Sequence, residues 1–537
     1  MNNTRETGAG DNNGRSKSRP WLSLLRRAGI AGLLLTVAGC AVHPQPLAEL
    51  DICEQTRQDM DKRYKNQEPL SKRLDLYEAM ARAVKYNLDH RVKLVEKALA
   101  KGHLVQAQYD LLPQLVASAG YSHRNNESGS SSKSLISGNE SLEWSTSQEQ
   151  SQFSSQVAYV WNVLDFGVGY VKAQQMADQV QIAEEWRRKA VQSIIQDVRR
   201  AYWRAAVAEV LLPEMDTLLA RVESALQRSQ QMEKLLIQEP LKNLAYQQEL
   251  LETVKQLWRM RKELAMANTE LATLINLKPG SHLRIGLLEL PPPTDIAKRL
   301  NIEALEEQAL LHRPELRTEA YRKRIDRLEV RKAMLRMLPG LEINFGANYN
   351  NNSYLYNNSW MQVGSQLTWN AFNLLSGPAA IKSAKIQQNL TENRYLATAM
   401  MALTQVHLAH QRYSIALKEY RIADNLAGVH KRKLHHTASA RQANAGSELE
   451  EIRNQAGALS ARMYRDLAYT ELQIAVGRIL QTGGIDPLPP VEGDLSVAAL
   501  GQAMKQHEEQ FLTAWWTKET AVTSTGMRVY RWVGRNK

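Results

Sequence analysis

From Trp161 to Leu236 the chain keeps one helical rhythm for about seventy residues. Apolar side chains recur at Met176, Val180, Ala183, Ala190, Ile194, Val198, Ala201, Ala205 and Ala208, three and four apart once Arg187 takes a place in the stripe. A helix of that length reaches roughly 100 Å at 1.5 Å per residue. No compact domain is that long, so the pattern predicts a fibrous or tubular object. Period-two alternation precedes it. Leu115, Ala117, Ala119 and Tyr121 alternate with Val116, Ser118, Gly120 and Ser122, and Phe153, Ser155, Val157, Tyr159 and Trp161 alternate with Ser154, Gln156, Ala158, Val160 and Asn162. These are strands with one greasier face, joined by a Ser-, Asn-, Gln- and Glu-rich loop at 125–150.

The order then repeats. Trp369-Asn370 stands 208 positions after Trp161-Asn162, and the same offset pairs Val198 with Val406 and Ala201 with Ala409. In the second copy Leu341, Ile343, Phe345, Ala347 and Tyr349 alternate with Glu342, Asn344, Gly346 and Asn348. An Asn-rich loop at 350–358 leads to Met361, Val363, Ser365, Leu367 and Trp369, which alternate with Gln362, Gly364, Gln366 and Thr368. Pro113 and Pro339 each end a helical stretch in front of the strands. Pro213 predicts a kink in the first long helix. Gln238-Glu239-Pro240 predicts a turn into a return helix from about Leu241 to Leu277. Ala445-Gly446 closes the second long helix, and Ser447 with Glu450 has the spacing of a capping box for its return helix. Thr470-Glu471-Leu472 echoes Thr269-Glu270-Leu271 at an offset of 201, a loss of about two helical turns that preserves facing.

Ten-residue strands match the length that crosses a bilayer when tilted, and one apolar face marks a lipid-facing barrel wall. The alternative is a soluble sandwich that buries them. On the membrane reading, four strands cannot close a barrel and open edges are intolerable in hydrocarbon, so the chain must oligomerise.

The expected organisation is a signal peptide at 1–39, an N-terminal segment at 40–73 and a first repeat at 74–280 with strands 114–124 and 151–162. A linker at 281–300 follows, then a second repeat at 301–483 with strands 341–350 and 359–370, and a C-terminal extension at 484–537. The leader carries Arg19, Arg26 and Arg27 ahead of an apolar core from Gly29 to Ala38. It ends Val37-Ala38-Gly39-Cys40, which resembles the bacterial lipobox. That resemblance implies acylation of Cys40, and Ala41 in the next position implies outer membrane targeting. The alternative is an ordinary signal peptide with an accidental cysteine. Cys53, the other cysteine, is then left without an intrachain disulfide partner.

Net charge is +12 over 537 residues, and its scatter without a Lys/Arg run reads as a solvated surface and excludes a nucleic-acid interface. After the leader no apolar run is long enough for a transmembrane helix. No Walker loop, HExxH motif or G-x-S-x-G elbow occurs, which argues against an enzyme and against a cofactor. His407 and His410, and the adjacent His435 and His436, are conceivable metal ligands, but they lack a Cys or a second cluster and read as helix-surface residues. Tyr121, Tyr159, Trp161, Tyr349, Trp360 and Trp369 near strand ends are either interface anchors or simple strand formers.

Taken together, residues 70–482 resemble the outer membrane efflux proteins of the TolC type. The match is carried by His312-Arg313-Pro314-Glu315-Leu316, by Leu112-Pro113 and Leu338-Pro339 before the strands, by the two Trp-Asn strand exits and by the order of elements found twice. At Asn87-Leu88 the first repeat departs from the family's usual Asn-Pro. The resemblance implies a mixed α and β fold in which long α-helical hairpins form a trimeric α-barrel tunnel. Each chain adds four strands to a 12-stranded transmembrane β-barrel. It further implies an outer membrane exit duct for efflux or type I secretion, a homotrimer partnered by outer membrane lipid, a periplasmic adaptor and an inner-membrane pump. The alternative from another class is a lipidated periplasmic adaptor, which carries one hairpin and lipoyl-like β segments.

The family has acidic rings inside the tip of its second repeat. Aligned here, the first falls on Glu450 and the second on Arg453, a departure. The expected pore gate is therefore Glu450 with Arg453, the arginine pairing with Glu450, or with Glu448 and Glu451, to hold the tip shut. The alternative is that Glu450 caps its helix and Arg453 faces solvent. Trp515, Trp516 and Trp532, with Arg528, Arg531, Arg535 and Lys537, mark the extension as a wrap around the tunnel or a contact for an anionic partner. From the lipobox comes a first prediction. Cys40→Ser should abolish incorporation of radiolabelled palmitate, and unchanged labelling would exclude acylation at this residue.

Overall fold

The computed structural model describes residues 46–141, 143–235, 239–286, 293, 296, 300–443, 447–489, 493 and 495–514. Cys40 with its leader, the tip residues Ala445 and Gly446, and the tail aromatics Trp515, Trp516 and Trp532 lie outside them. The chain divides into two units, 1–65 and 66–537. In the first, helix α1 (Glu49–Tyr64) buries no residue and carries the free, exposed Cys53.

The second unit opens with α2 (Leu76–Tyr86), whose first turn is capped by Asp75 accepting from the amide of Glu78 at 2.6 Å. Helix α3 (Leu88–Tyr109) follows after one residue. Asn87 makes that break by accepting from the amides of Asp89 at 2.9 Å and His90 at 3.3 Å. Its side chain does the work a helix-starting proline does in the second repeat, so the departure from Asn-Pro leaves the hinge intact. Strands β1 (Gln114–His123) and β4 (Ser151–Asn162) flank a loop that carries a two-residue hairpin of its own, β2 (Gly129–Ser130) and β3 (Ser145–Thr146). Asn162 ends β4 and caps the 72-residue α4 (Val163–Lys234), accepting from Leu164 and Asp165 at 3.1 Å each.

Helix α4 runs unbroken through Pro213, whose carbonyl accepts from Thr217 Oγ1 at 2.8 Å. The return helix has Pro240 in its first turn and is interrupted at Met266, giving α5 (Pro240–Ala265) and α6 (Ala267–Leu274) in place of one helix to Leu277.

The second repeat runs α7 (Ile302–His312), α8 (Pro314–Leu335), β5 (Gly340–Asn350), β6 (Ser359–Thr368), α9 (Asn373–Gln442) and α10 (Glu448–Thr482). Asn370 accepts from the amide of Phe372, but a turn intervenes and α9 starts at Asn373, so β6 ends two residues short of its expected limit. The expected capping box is absent. Ser447 stands at the N-cap of α10 without a side-chain cap bond, and three acids in the first turn, Glu448, Glu450 and Glu451, complement the helix dipole instead. Helix α10 ends at Thr482 with Gly483 as C-cap, and the next residue, Gly484 (φ +73°), turns the chain where a Cβ would lie 2.8 Å from the amide nitrogen of Arg313. The left-handed glycine is what lets the helix end close against the α7–α8 break.

Four antiparallel strands form one sheet in the order β1-β4-β5-β6. The helices line up in the same order. Near the sheet they run α3, α4, α8, α9, and beyond it α5, α4, α10, α9, so each strand prolongs a helix of a wall four helices wide. The 208-residue repeat is physical. Val198 and Val406 are both fully buried, as Ala201 and Ala409 nearly are.

The seam between α4 and α8 is polar. Asp178 takes Arg324, Glu185 takes Arg317 at 2.7 Å, and Gln175 donates to Glu329 at 2.9 Å. A further helix, α11 (Val497–Ala514), packs on α2 and places Glu508 over the buried Arg199, with both carboxylate oxygens within 2.9 Å of Nη2. The first part of the extension is therefore built into the core, which includes Val497 and Met504.

Removing one member of a buried ion pair costs about 3–5 kcal/mol because the other charge stays desolvated. Glu508→Ala, or truncation after Leu488, should therefore lower the thermal unfolding midpoint of the detergent-solubilised protein. An unchanged midpoint would show that α11 is a passive appendage.

Candidate functional site

Two regions stand out. The first is the sheet. On one face the register aligns Leu115 with Tyr159 and Phe345 with Val363, and brings Ala117, Val157, Ala347 and Met361 into one row. The opposite face aligns Ser118, Gln156, Asn348 and Trp360 in one row, and Asn162, Glu342 and Gln366 in another. In β5 the apolar-face residues, Leu341 through Tyr349, are all exposed, whereas the polar-face residues from Gly340 to Asn350 are all partly or fully covered. Soluble sheets show the reverse. Here the polar side is the more covered one in β5, and the apolar side is uncovered: Met361 is 77% exposed, Val363 74% and Leu115 72%.

Of the aromatic residues read as anchors, Tyr121, Tyr159 and Tyr349 lie exposed on the apolar face, and Trp360 lies on the polar face. Trp369 lies past the end of β6 and donates from Nε1 to the carbonyl of Met337 at 3.1 Å.

The second region is the far end, where two hairpins meet. Within each hairpin the same link recurs: Asn243 donates to the carbonyl of Ser229 at 3.0 Å, and Asn454 donates to Thr437 Oγ1 at 2.7 Å, all four residues being buried. Ser229 and Thr437 are 208 positions apart, so the repeat offset pointed to this pair, although the strand and core pattern did not. Between the hairpins, Val222, Ala225, Leu250, Ile452 and Ala456 share one buried core. Around it runs a set of charge pairs. Arg221 holds Glu451 at 2.6 Å and Gln455 at 2.9 Å, Arg228 holds Glu448 at 2.8 Å, and Arg462 holds Glu214 at 2.8 Å.

The residues read as a gate lie at this end but not in the expected pairing. Arg453 does not bind Glu448, Glu450 or Glu451; it pairs with Glu249 on α5. The reason is that Glu448 and Glu451 are already taken by arginines from α4, Glu451 also receiving Arg441 at 3.7 Å. Glu450 is exposed and forms no ion pair or hydrogen bond among the described residues. None of these cross-hairpin partners was legible in the sequence, since their separations exceed 200 residues and charge alone does not choose among so many arginines.

The histidines do not assemble a metal centre. His407 pairs with Glu306 at 2.5 Å, the rings of His435 and His436 lie 6.0 Å apart and tilted by 57°, and no cluster of three His, Cys, Asp or Glu residues suited to a metal occurs among the described residues. No described helix is long and apolar enough to cross a membrane.

No protein-family model and no curated protein matches the sequence. Solved structures do. The Campylobacter jejuni CmeC outer membrane channel superposes with a TM-score of 0.60 at 14% identity, over 81% of this chain and 89% of that one. The open state of the Neisseria gonorrhoeae MtrE outer membrane channel gives 0.58 at 17%, over 79% and 95%. CusC, described for its transmembrane channel formation, gives 0.57 at 15%, over 79% and 96%. The fold is that of the TolC-type outer membrane channels, as the residue pattern led one to expect.

The hydrogen bonds from Arg221 hold the Glu451 carboxyl below its ordinary value against the opposing effect of burial, and the charges of Arg221 and Arg441 add to this. A lowered folded-state value means the pair's stabilisation is complete above the unfolded carboxylate value, about 4.3, and is lost as pH falls through the folded one. Hairpin contact at this end should therefore loosen below about pH 4. Arg221→Ala should weaken it by about 1 kcal/mol at neutral pH and flatten the pH dependence. A disulfide-trapping rate between α4 and α10 that ignored both pH and the substitution would overturn this.

Proposed function

We propose that three copies of this chain form a passive exit duct across the outer membrane and the periplasm, serving a tripartite efflux or type I secretion system. The observation that carries the reading is the sheet: its apolar face is uncovered, its polar face is the more covered one in β5, and the edge strands β1 and β6 each lack a second strand neighbour among the described residues. In hydrocarbon, unpaired strand edges are prohibitive. A β1 edge meeting the β6 edge of the next copy removes both, and three copies supply twelve strands around a polar lumen.

The fold shared with outer membrane channels supports the same assembly, and so does the wall of four helices, whose lateral edges are left to neighbouring copies. Two hairpins and a four-stranded sheet do not fit a periplasmic adaptor. On this reading the chain acts as a conduit.

In this reading Cys40, acylated, anchors the N-terminus to outer membrane lipid, and α4, α5, α9 and α10 extend into the periplasm. Their joined ends meet an adaptor and an inner-membrane pump. The gate is the seam between the hairpins: Arg453 with Glu249, together with Arg221–Glu451 and Arg228–Glu448, holds it closed. Glu450, exposed near the tip, supplies one carboxylate per copy to the entrance. The transported substrate is set by the pump that feeds the duct.

Native mass measurement in detergent should give three chains, and the same sample should form ion channels in planar bilayers. A stable monomer would overturn the shared barrel.

A further inference from the structure

We infer that Glu342 makes the outer membrane section of the duct a cation filter. This rests on the exit-duct reading above and deepens it. The four strands place 22 residues on the polar face, from Gln114 on β1 to Thr368 on β6, and Glu342 is the one formal charge among them. The others are amides, hydroxyls, glycines and a few apolar residues. The apolar face carries no Asp, Glu, Lys or Arg at all.

Glu342 sits near the helix end of the sheet, level with Asn162 and Gln366, with the Gly340–Thr368 pair the one polar-face row between it and the helices. It is not held there by a partner. Asn162 spends its side-chain oxygen capping α4, and Glu342 forms no ion pair or hydrogen bond among the described residues. A carboxylate used to brace the sheet would be bonded to a neighbour.

The rows beyond it are flattened. An ideal Cβ at Gly364 would lie 2.6 Å from Asn344 Oδ1, and one at Gly346 would lie 3.5 Å from Gln156 Nε2. Both amides thus rest along the wall over a glycine, and Glu342 is left as the charged group at the inner mouth.

Magnitudes decide whether one carboxylate per copy matters. Twelve strands about 4.8 Å apart and tilted by about 40° close at a radius of roughly 12 Å. Glutamate side chains reach about 5 Å inward, which puts three carboxylates about 7 Å from the axis. With Debye lengths of about 30 Å at 0.01 M and 3 Å at 1 M salt, three such charges enrich a monovalent cation on the axis about tenfold at low salt. At 1 M the enrichment falls below about 1.5-fold. The filter therefore favours cationic and neutral solutes over anions, most strongly in dilute media.

The test is the reversal potential of single channels in a KCl gradient with a 0.01 M dilute side, comparing the full-length protein with Glu342→Gln, Glu342→Asp and Glu342→Lys. The expected result is that the K⁺ over Cl⁻ permeability ratio falls several-fold in the Gln variant, holds in Asp and inverts toward Cl⁻ in Lys, with all differences vanishing near 1 M. Should the Gln variant not assemble, the Asp and Lys pair decides. Channels of equal selectivity across the series would overturn the proposal and leave the duct standing. A wild-type protein that forms no channel would overturn the duct, and this inference with it.

Discussion

An uncovered apolar sheet face is the constraint on which the rest of this structure depends. Exposing Leu115, Met361, Val363 and Leu367 to water is costly at about 25 cal/mol per Å², and no described element turns back to cover them. Only a solvent as apolar as the face itself removes that cost. Hydrocarbon does so, but it forbids the two open edges, so one requirement leads directly to the other. The arrangement of the helices follows from the same sheet. Because β1, β4, β5 and β6 each prolong a helix, the order of the strands is also the order of the helices in the wall.

Packing in that wall rests on small residues and polar seams in place of one dense core. Ala201, Ala205, Ala208 and Ala409 bring helices close at modest apolar area, and at Gly477 a Cβ would lie 2.4 Å from the Gln196 amide nitrogen. Such contacts are close without being greasy. Long helices joined this way are positioned by shape and by pairs such as Asp178 with Arg324, which suits a wall that must also face water on the inside. Helix α11 adds a deep ion pair, Arg199 with Glu508, and packs on α2 beside α4.

What could be read from the residues was whatever repeats at short range. Helical and strand periods, the 208-residue duplication and the prolines at 113, 240 and 339 gave the element types of both repeats and the strand bounds to within a residue or two. They did not give α1, α11, the β2–β3 hairpin or the break at Met266. Failures came where a local rule met a distant competitor. Ser447 has the spacing of a capping box, yet Glu448 and Glu451 are drawn to Arg228 and Arg221 on α4 and the box does not close. Arg453 faces three acids in its own turn but binds Glu249, some two hundred residues away. The Asn-rich loop looked featureless. In fact Asn352 is buried, and its side chain receives the amide of Glu149 and donates to Ser147, tying the two loops together. Partner choice among like charges and amides is a property of the folded geometry, and periodicity carries no record of it.

The two kinds of bond at the far end point to how it moves. Inside each hairpin the Ser229–Asn243 and Thr437–Asn454 links are buried and neutral, so breaking either would strand an amide away from water at about 1–3 kcal/mol. Between the hairpins the links are charge pairs near the surface, Arg228 being 51% and Arg453 58% exposed, and water can replace each partner at small cost. A structure whose internal joints are expensive and whose mutual joints are cheap separates along the mutual ones. On the gate proposed above, each hairpin would open as a rigid arm, along the α4–α10 seam and the Arg453–Glu249 bridge. The buried Ile452 and Ala456 would set the limit of that opening, because parting them exposes the core the two hairpins share.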